Sequence, residues 1–179
     1  MNSLQFKRLC ENDLELLYTW FKEPTINQMY ARNQIWSLED IQKKYLPRIL
    51  GQENVPSFII IQNSTPMGFI QCYCLTDYLP EGILGYNNSL FTEYTPQELV
   101  GIDLFITKDR DRGKGLGETI INCFITQFLT RYRAVIVDPD KNNIQAIRCY
   151  EKAGFINSSF SEKPNYVVMI KASINFSKV

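Results

Sequence analysis

Asp109-Arg110-Asp111-Arg112-Gly113-Lys114-Gly115-Leu116-Gly117-Glu118-Thr119 stands between a strand-like run and a helix-like run, and its reading decides the fold. Upstream, residues 99–107 are apolar and β-branched. Downstream, apolar residues at 116, 120, 121, 124, 125, 128 and 129 recur near the helical period of 3.6. The context is strand, glycine-rich turn, helix. Glycines at a helix start let the backbone come close to a ligand. The N–H groups there and the positive end of the helix dipole suit a phosphate or pyrophosphate. Arg110, Arg112 and Lys114 add positive charge. A Walker-type loop needs Ser or Thr directly after its Gly-Lys pair, where Gly115 stands, and no G-x-G-x-x-G frame fits a dinucleotide fingerprint.

A second stretch, Asp138-Pro139-Asp140-Lys141-Asn142-Asn143-Ile144-Gln145-Ala146-Ile147-Arg148-Cys149-Tyr150-Glu151-Lys152-Ala153-Gly154-Phe155, follows an apolar run at 134–137. It reads as strand, loop and short helix, with Gly154 just past the helix end, where the backbone turns left-handed.

Working outward, residues 4–8 read as a strand and 12–21 as a helix with apolar residues at 14, 16, 17, 20 and 21, ended by Pro24. Ser37-Leu38-Glu39-Asp40 is a variant capping box opening a helix that carries Leu38, Ile41, Tyr45, Ile49 and Leu50; Pro47 threatens a kink and Gly51 stops it. Residues 57–62 and 67–75 read as strands of a hairpin, joined by a polar turn at 63–66. Residues 76–98 show no period, and so long a loop in a compact domain is usually functional or mobile. Then come a strand at 99–107, a helix at 116–131, a strand at 134–137, a helix at 144–153 and strands near 155–161 and 166–171. One mixed α/β sheet with helices on its faces, in a single domain over 1–179, accounts for this order.

Nineteen Lys and Arg balance nineteen Asp and Glu, so no global field draws the chain to nucleic acid or an acidic membrane. Local separation is sharper. Cations gather at 108–114, while Asp77, Glu81, Glu93, Glu98, Asp103, Asp138 and Asp140 fall in or beside loops and strand ends. The chain has no histidine, which excludes Ser-His-Asp and Cys-His engines and most zinc chemistry; no metal is expected. Carboxylate, tyrosine and backbone remain as the catalytic repertoire. The five cysteines lack metal-ligand spacing and read as reduced core residues. No apolar signal or spanning segment opens the sequence, so a soluble, cytoplasmic protein is expected.

Arg112-Gly113-Lys114-Gly115-Leu116-Gly117 fits [Gln/Arg]-x-x-Gly-x-Gly, and Asn143, Ala146, Tyr150, Gly154 and Phe155 fit Asn-x-x-Ala-x-x-x-Tyr-x-x-x-Gly-Phe. Two such motifs in this order resemble the GNAT N-acetyltransferase superfamily. Val100-Gly101-Ile102-Asp103, Asp138-Pro139, residues 146–155 and Gln42-x-x-Tyr45-Leu46-Pro47 together resemble its aminoglycoside 6′-N-acetyltransferases over roughly residues 4–171. The resemblance implies a central, mostly antiparallel twisted sheet flanked by helices, with a V-shaped splay between the fourth and fifth strands. It implies acetyl-CoA as cosubstrate and a polycationic amine, an aminoglycoside, as acceptor, in an antibiotic-resistance role and as a monomer or homodimer.

The strand at 99–107 sets Val100, Ile102, Leu104 and Ile106 on one face and Gly101, Asp103, Phe105 and Thr107 on the other. A carboxylate inside a central strand needs a partner or a solvent-filled cleft. The resemblance makes Asp103 the group that binds and deprotonates the acceptor amine, against a structural ion pair as the plainer reading. By the same resemblance, the backbone at Leu104, Phe105 and Ile106, around a β-bulge, meets the acyl end of the cofactor and stabilises the oxyanion. The pyrophosphate falls to Arg112, Gly113, Lys114, Gly115, Leu116, Gly117 and Glu118, and the pantetheine arm to Asn143 and Ala146. Tyr150 protonates the leaving thiolate; it also shares a helix face with Ala146, Ile147 and Ala153, so a core tyrosine competes. Asp138, Glu53, Glu93 and Tyr94 are candidate acceptor contacts. Asp138 has a turn-initiating reading, Asn143 an N-cap reading, and the aromatics at 78, 86, 91 and 94 a loop-packing one. Related enzymes place a tryptophan pair near Gln28-Met29-Tyr30, which this chain lacks.

Two other readings stand beside the aminoglycoside one. The same fold and donor would serve another small amine, a polyamine or a protein N-terminus; a non-catalytic CoA-binding sensor would have no use for Asp103 and Tyr150.

Overall fold

The computed structural model describes residues 4–31, 33–107 and 115–173. Among them lie the strands β1 (Leu4–Arg8), β2 (Ser57–Gln62), β3 (Thr65–Cys74), β4 (Leu99–Ile106), β5 (Ala134–Val137), β6 (Ile156–Asn157) and β7 (Met169–Ala172). They form one sheet in the order β1-β2-β3-β4-β5-β7-β6. The β1–β2, β2–β3, β5–β7 and β6–β7 pairs are antiparallel. β4 and β5 are parallel, paired over Leu99–Gly101 against Ala134–Ile136, and β4 then runs on to Ile106. The mixed, mostly antiparallel α/β sheet expected from the sequence is the one found.

The chain falls into two compact units, Met1–Gln71 with Asp103–Asp109, and Cys72–Ile102 with Arg110–Val179, so β3 and β4 each give residues to both. The first holds helices α1 (Leu14–Phe21), α2 (Pro24–Met29) and α3 (Leu38–Ile49). The helix expected from residue 12 begins as a 3₁₀ turn at Glu11–Asp13, because the Asp13 carboxylate reaches back to accept the Cys10 N–H at 3.0 Å. Pro24 does end α1, but it also opens α2 at a position where a missing N–H is no loss. α3 starts at the expected box: Ser37 Oγ accepts from Asp40 N–H at 3.1 Å and Asp40 Oδ2 from Ser37 N–H at 2.9 Å. Pro47 is accommodated inside it. Asn63 and Ser64 both take positive φ (49° and 62°), the mark of a two-residue hairpin turn, so β3 begins at Thr65 instead of the expected 67.

Phe21 is the hub of this unit's core, edge-on to Trp36, Tyr30, Phe105 and Tyr45 at centroid separations of 5.3, 5.8, 6.0 and 6.3 Å. Leu17, Ile26, Ile41, Ile59 and Phe69 complete it. Each fully buried side chain of this size contributes about 1.5–3 kcal/mol.

The second unit carries α4 (Leu90–Glu93), α5 (Leu116–Phe128) and α6 (Ile144–Lys152). Of the periodic positions in the sequence α5 buries Ile120, Ile121 and Phe124 but leaves Phe128 exposed, and it ends three residues before the expected 131. The segment 76–98 is less irregular than its composition implies, holding α4 and a 3₁₀ turn at Pro96–Glu98. β6 and β7 are shorter than expected. Beyond Asn157 the Ser158 hydroxyl and N–H both take the Val168 carbonyl, at 2.7 and 3.0 Å, and Glu162 N–H then turns to the Gly82 carbonyl at 2.8 Å. All five cysteines are free thiols, but only Cys72 is buried; the others are half-exposed, which corrects their reading as core residues. No described helix is long and apolar enough to cross a membrane.

Candidate active site

Alternation along β3 sets Phe69, Gln71 and Tyr73 on one face, and along β4 Gly101, Asp103 and Phe105. Phe69 and Phe105 stack at 5.7 Å. Gln71 Nε2 donates to Asp103 Oδ2 at 2.8 Å. The Tyr73 ring lies where a Cβ on Gly101 would be, so glycine alone fits there. Asp103 is half-buried, whereas Gln71 and Phe105 are buried.

Gln71 is itself buried and held from its other end: Arg48 Nη1 donates to its Oε1 at 2.7 Å. Arg48 Nε in turn donates to Glu53 Oε2 at 3.1 Å, and the guanidinium lies 5.2 Å from the centre of the Tyr45 ring. The sequence folds this way because α3 ends at Ile49 and the Pro47 carbonyl accepts the N–H groups of Gln52 and Glu53, at 2.8 and 3.1 Å, turning Glu53 back onto Arg48. Glu53, expected to meet acceptor amines, thus spends one oxygen on Arg48.

Two tyrosines complete the group. Tyr30, at the end of α2, lies 4.8 Å from the Phe105 ring, where related enzymes were expected to carry tryptophan. Burial, then the neighbouring Tyr45 and Asp103, push its hydroxyl well above the ordinary tyrosine range. Burial raises Tyr45 as well, against the pull of Arg48. Both stay protonated at any working pH and can serve as donors, not bases. The fully buried Tyr45 Oη makes no hydrogen bond of ordinary geometry among the described residues.

In the second unit, α5 opens at Gly115, whose φ of +78° is left-handed and where an added Cβ would meet no atom of the described residues within 4 Å. Among the described residues no side chain caps this helix. An uncapped first turn at an open glycine fits an anionic phosphate group and so fits acetyl-CoA. Leu116, Gly117 and Glu118 form that turn; Arg110, Arg112, Gly113 and Lys114 lie outside the described residues. Asn143 is the N-cap of α6, its Oδ1 accepting the Ala146 N–H at 3.1 Å. Its Nδ2 takes no part in that bond. Tyr150, on the same helix, is buried and edge-on to Phe155 at 5.6 Å, so the packing role is real. Gly154 takes φ +91° after the helix, as expected.

The remaining acceptor candidates hold the 76–98 segment in place. Asp138 Oδ2 accepts the Gly82 N–H at 3.1 Å. Glu93 gives its carbonyl to Arg133 Nη1 at 3.0 Å, and the same guanidinium covers the Tyr94 ring at 4.5 Å, a face a cationic acceptor would otherwise use. Glu81 pairs with Lys163 at 3.2 Å, and Tyr86 donates to the Leu75 and Thr76 carbonyls at 2.8 and 3.0 Å. Loop packing by its own aromatics and acids is therefore part of what these residues do. Sequence reasoning missed Arg48 and Gln71. A signal for Gln71 was present: a polar residue inside the apolar run of β3, the same oddity that singled out Asp103. Among the described residues no three His, Cys, Asp or Glu side chains gather to hold a metal ion.

Residues 10–161 match the family model described as an acetyltransferase (GNAT) domain. The aminoglycoside N(6′)-acetyltransferase type 1 of Klebsiella pneumoniae is 31% identical over 157 residues, 86% of this chain and 74% of that protein. Among solved structures, AAC(6′)-Ib in complex with parmomycin and acetyl-CoA superposes with a TM-score of 0.79 at 29% identity, over 95% of this chain and 93% of that one. The same protein with coenzyme A and kanamycin gives 0.78 at 29%, over 95% of each.

Proposed function

Because this chain belongs to the GNAT acetyltransferase family, we propose that it transfers the acetyl group of acetyl-CoA directly to the 6′-amino group of aminoglycosides. The observation that carries the proposal is Asp103: a half-buried carboxylate inside β4, kept oriented by a donated hydrogen bond from a buried glutamine. Relatives bearing the 6′-N-acetyltransferase name, and solved relatives holding kanamycin, support the choice of acceptor.

Acetyl-CoA supplies an acetyl thioester. An aminosugar ammonium cannot attack it until a proton leaves, and Asp103 both attracts the cation and takes that proton, directly or through water. As the new C–N bond forms, N–H groups of β4 between Leu104 and Ile106 stabilise the negative charge on the acetyl oxygen. Tyr150 gives its proton to the sulfur as the C–S bond breaks. The uncapped start of α5 holds the pyrophosphate, and Asn143 the pantetheine amides. Asp138 adds negative charge for the acceptor's other ammonium groups, and Glu53, its charge matched by Arg48, offers them only its second oxygen.

The test follows thiol release from acetyl-CoA with matched 6′-amino and 6′-hydroxy aminoglycosides, spermidine and an Ala-starting peptide. Turnover confined to the 6′-amino compounds is expected. Equal acetylation of both aminoglycoside series would refute the 6′ assignment, and turnover of spermidine or peptide alone would move the acceptor to another amine class.

A further inference from the structure

Beyond the residues that would touch substrate, we propose that Gln71 and Arg48 form a positioning relay which sets the orientation and basicity of Asp103. The inference rests on the reading of Asp103 as the base.

A glutamine amide has a donor end and an acceptor end of nearly the same shape, and left alone it can present either to a neighbour. Here the two ends have different partners. Arg48 is donor-only, so the end facing it must be Oε1, at 2.7 Å. Nε2 is then forced toward Asp103 Oδ2, at 2.8 Å. With the amide reversed, donor would face donor at Arg48 and oxygen would face carboxylate at Asp103. Arg48 is therefore what makes Gln71 a donor to the base.

Arg48 is fixed in turn from three sides. Glu53 accepts from its Nε at 3.1 Å, Gln71 from its Nη1, and the Tyr45 ring lies against its guanidinium at 5.2 Å. Only 13% of its side chain is exposed, so these bonds are not diluted by water as a surface pair would be. Among the described residues, the charged and titratable groups linked to Asp103 include Arg48 and Tyr45 from α3, Glu53 just beyond it and Tyr30 at the end of α2. Both tyrosines stay neutral, and the Arg48 charge is matched by Glu53.

A hydrogen bond donated to a carboxylate favours its charged form and lowers its pKa. The relay therefore keeps Asp103 ionised to lower pH than burial alone would allow. It also anchors Oδ2, so the carboxylate meets the acceptor in one orientation. A carboxylate accepts about four hydrogen bonds, so this anchoring is compatible with binding an ammonium.

The test combines Gln71→Leu, Arg48→Met, their double variant, Arg48→Lys and Asp103→Asn, with kcat, both KM values and pH profiles on a 6′-amino aminoglycoside. Gln71→Leu should lower kcat about tenfold to a hundredfold, the worth of a hydrogen bond to a charged group. The acid limb of its kcat/KM profile should move to higher pH, and KM for acetyl-CoA should hold. Arg48→Met should act in the same direction, and Arg48→Lys, which keeps a donor for Oε1, should recover part of the loss. Because the two act in series, the double variant should be no worse than Gln71→Leu alone. Should Gln71→Leu fail to fold, Arg48→Met at the helix end carries the test. An inactive Asp103→Asn beside a Gln71→Leu, or Arg48→Met, with wild-type kcat and acid limb overturns the relay and leaves the base standing. Losses that multiply in the double variant overturn it too. A wild-type rate in Asp103→Asn removes the base itself, and the relay with it.

Discussion

At the scale of single residues, two carboxylates in the first unit show how position decides use. Asp13 and Asp103 both sit in apolar surroundings, and each is satisfied differently. Asp13 takes three donors from its own neighbourhood: Lys7 Nζ at 2.7 Å, Cys10 N–H at 3.0 Å and Cys10 Sγ at 3.2 Å. Burial alone would raise its pKa, but these donors together hold it below the ordinary carboxylate range. Asp13→Asn should then cost about 1 kcal/mol by urea denaturation at neutral pH. With the folded value depressed, the contribution is complete above the unfolded value of about 3.9 and fades as the pH falls through the folded one. The difference between wild type and variant should therefore close under acid; a gap persisting there would mean the loss is steric. Asp103 instead receives a donor from a separate strand and is only half-buried. Asp103→Asn should lower turnover by about a hundredfold or more, the scale of general base catalysis, with acetyl-CoA affinity nearly unchanged. Stopped assays paired with calorimetry on acetyl-CoA separate the two effects, and a fully active variant would make Asp103 structural.

Among the elements, α5 is the one whose start has an open function. Its N-cap, Gly115, is left-handed and unhindered by any described residue, and Asp and Asn tolerate that backbone better than other non-glycine residues. Gly115→Asp and Gly115→Asn therefore carry similar backbone strain and differ in charge. Acetyl-CoA affinity by calorimetry should fall about tenfold or more further in the Asp variant, since a negative charge there opposes the pyrophosphate. Equal affinities in the two would take this helix start out of the site. The element itself was legible in the sequence, because the period from Leu116 and the glycines before it are local signals. So were α3, through Ser37 and Asp40, and α6, through Asn143 and Gly154. What was not legible depends on residues far apart in the chain. Arg48 meets Gln71 across 23 positions, Gln71 meets Asp103 across 32, and Asp138 meets Gly82 across 56. No period or cap encodes those encounters. Pro24 illustrates a nearer failure, since the residue that stops one helix also starts the next, and only the fold decides whether a next one follows.

For the whole molecule, equal numbers of acidic and basic residues leave no net charge, and the lack of histidine leaves no side chain of ordinary pKa near 6.5. Recognition of a polycation must then come from locally placed carboxylates and weaken with added salt, most steeply below about 0.15 M where the Debye length exceeds ~8 Å. Asp138 is the sharpest case, because its carboxylate has two possible duties. It anchors the 76–98 segment through the Gly82 N–H, and it is proposed to meet an acceptor ammonium. Asp138→Ala removes both duties, whereas Asp138→Asn keeps an oxygen for Gly82 and loses only the charge. If the charge is what the acceptor uses, both variants should raise KM for kanamycin several-fold and flatten its salt dependence, while KM for acetyl-CoA stays put. Only Asp138→Ala should also lower the unfolding midpoint, by the loss of a partner for the backbone N–H of the buried Gly82. A wild-type KM in Asp138→Asn together with a raised one in Asp138→Ala would assign the residue to loop anchoring alone. Recognition of the polycation would then fall to Asp103 and to whatever Glu53 retains beyond Arg48.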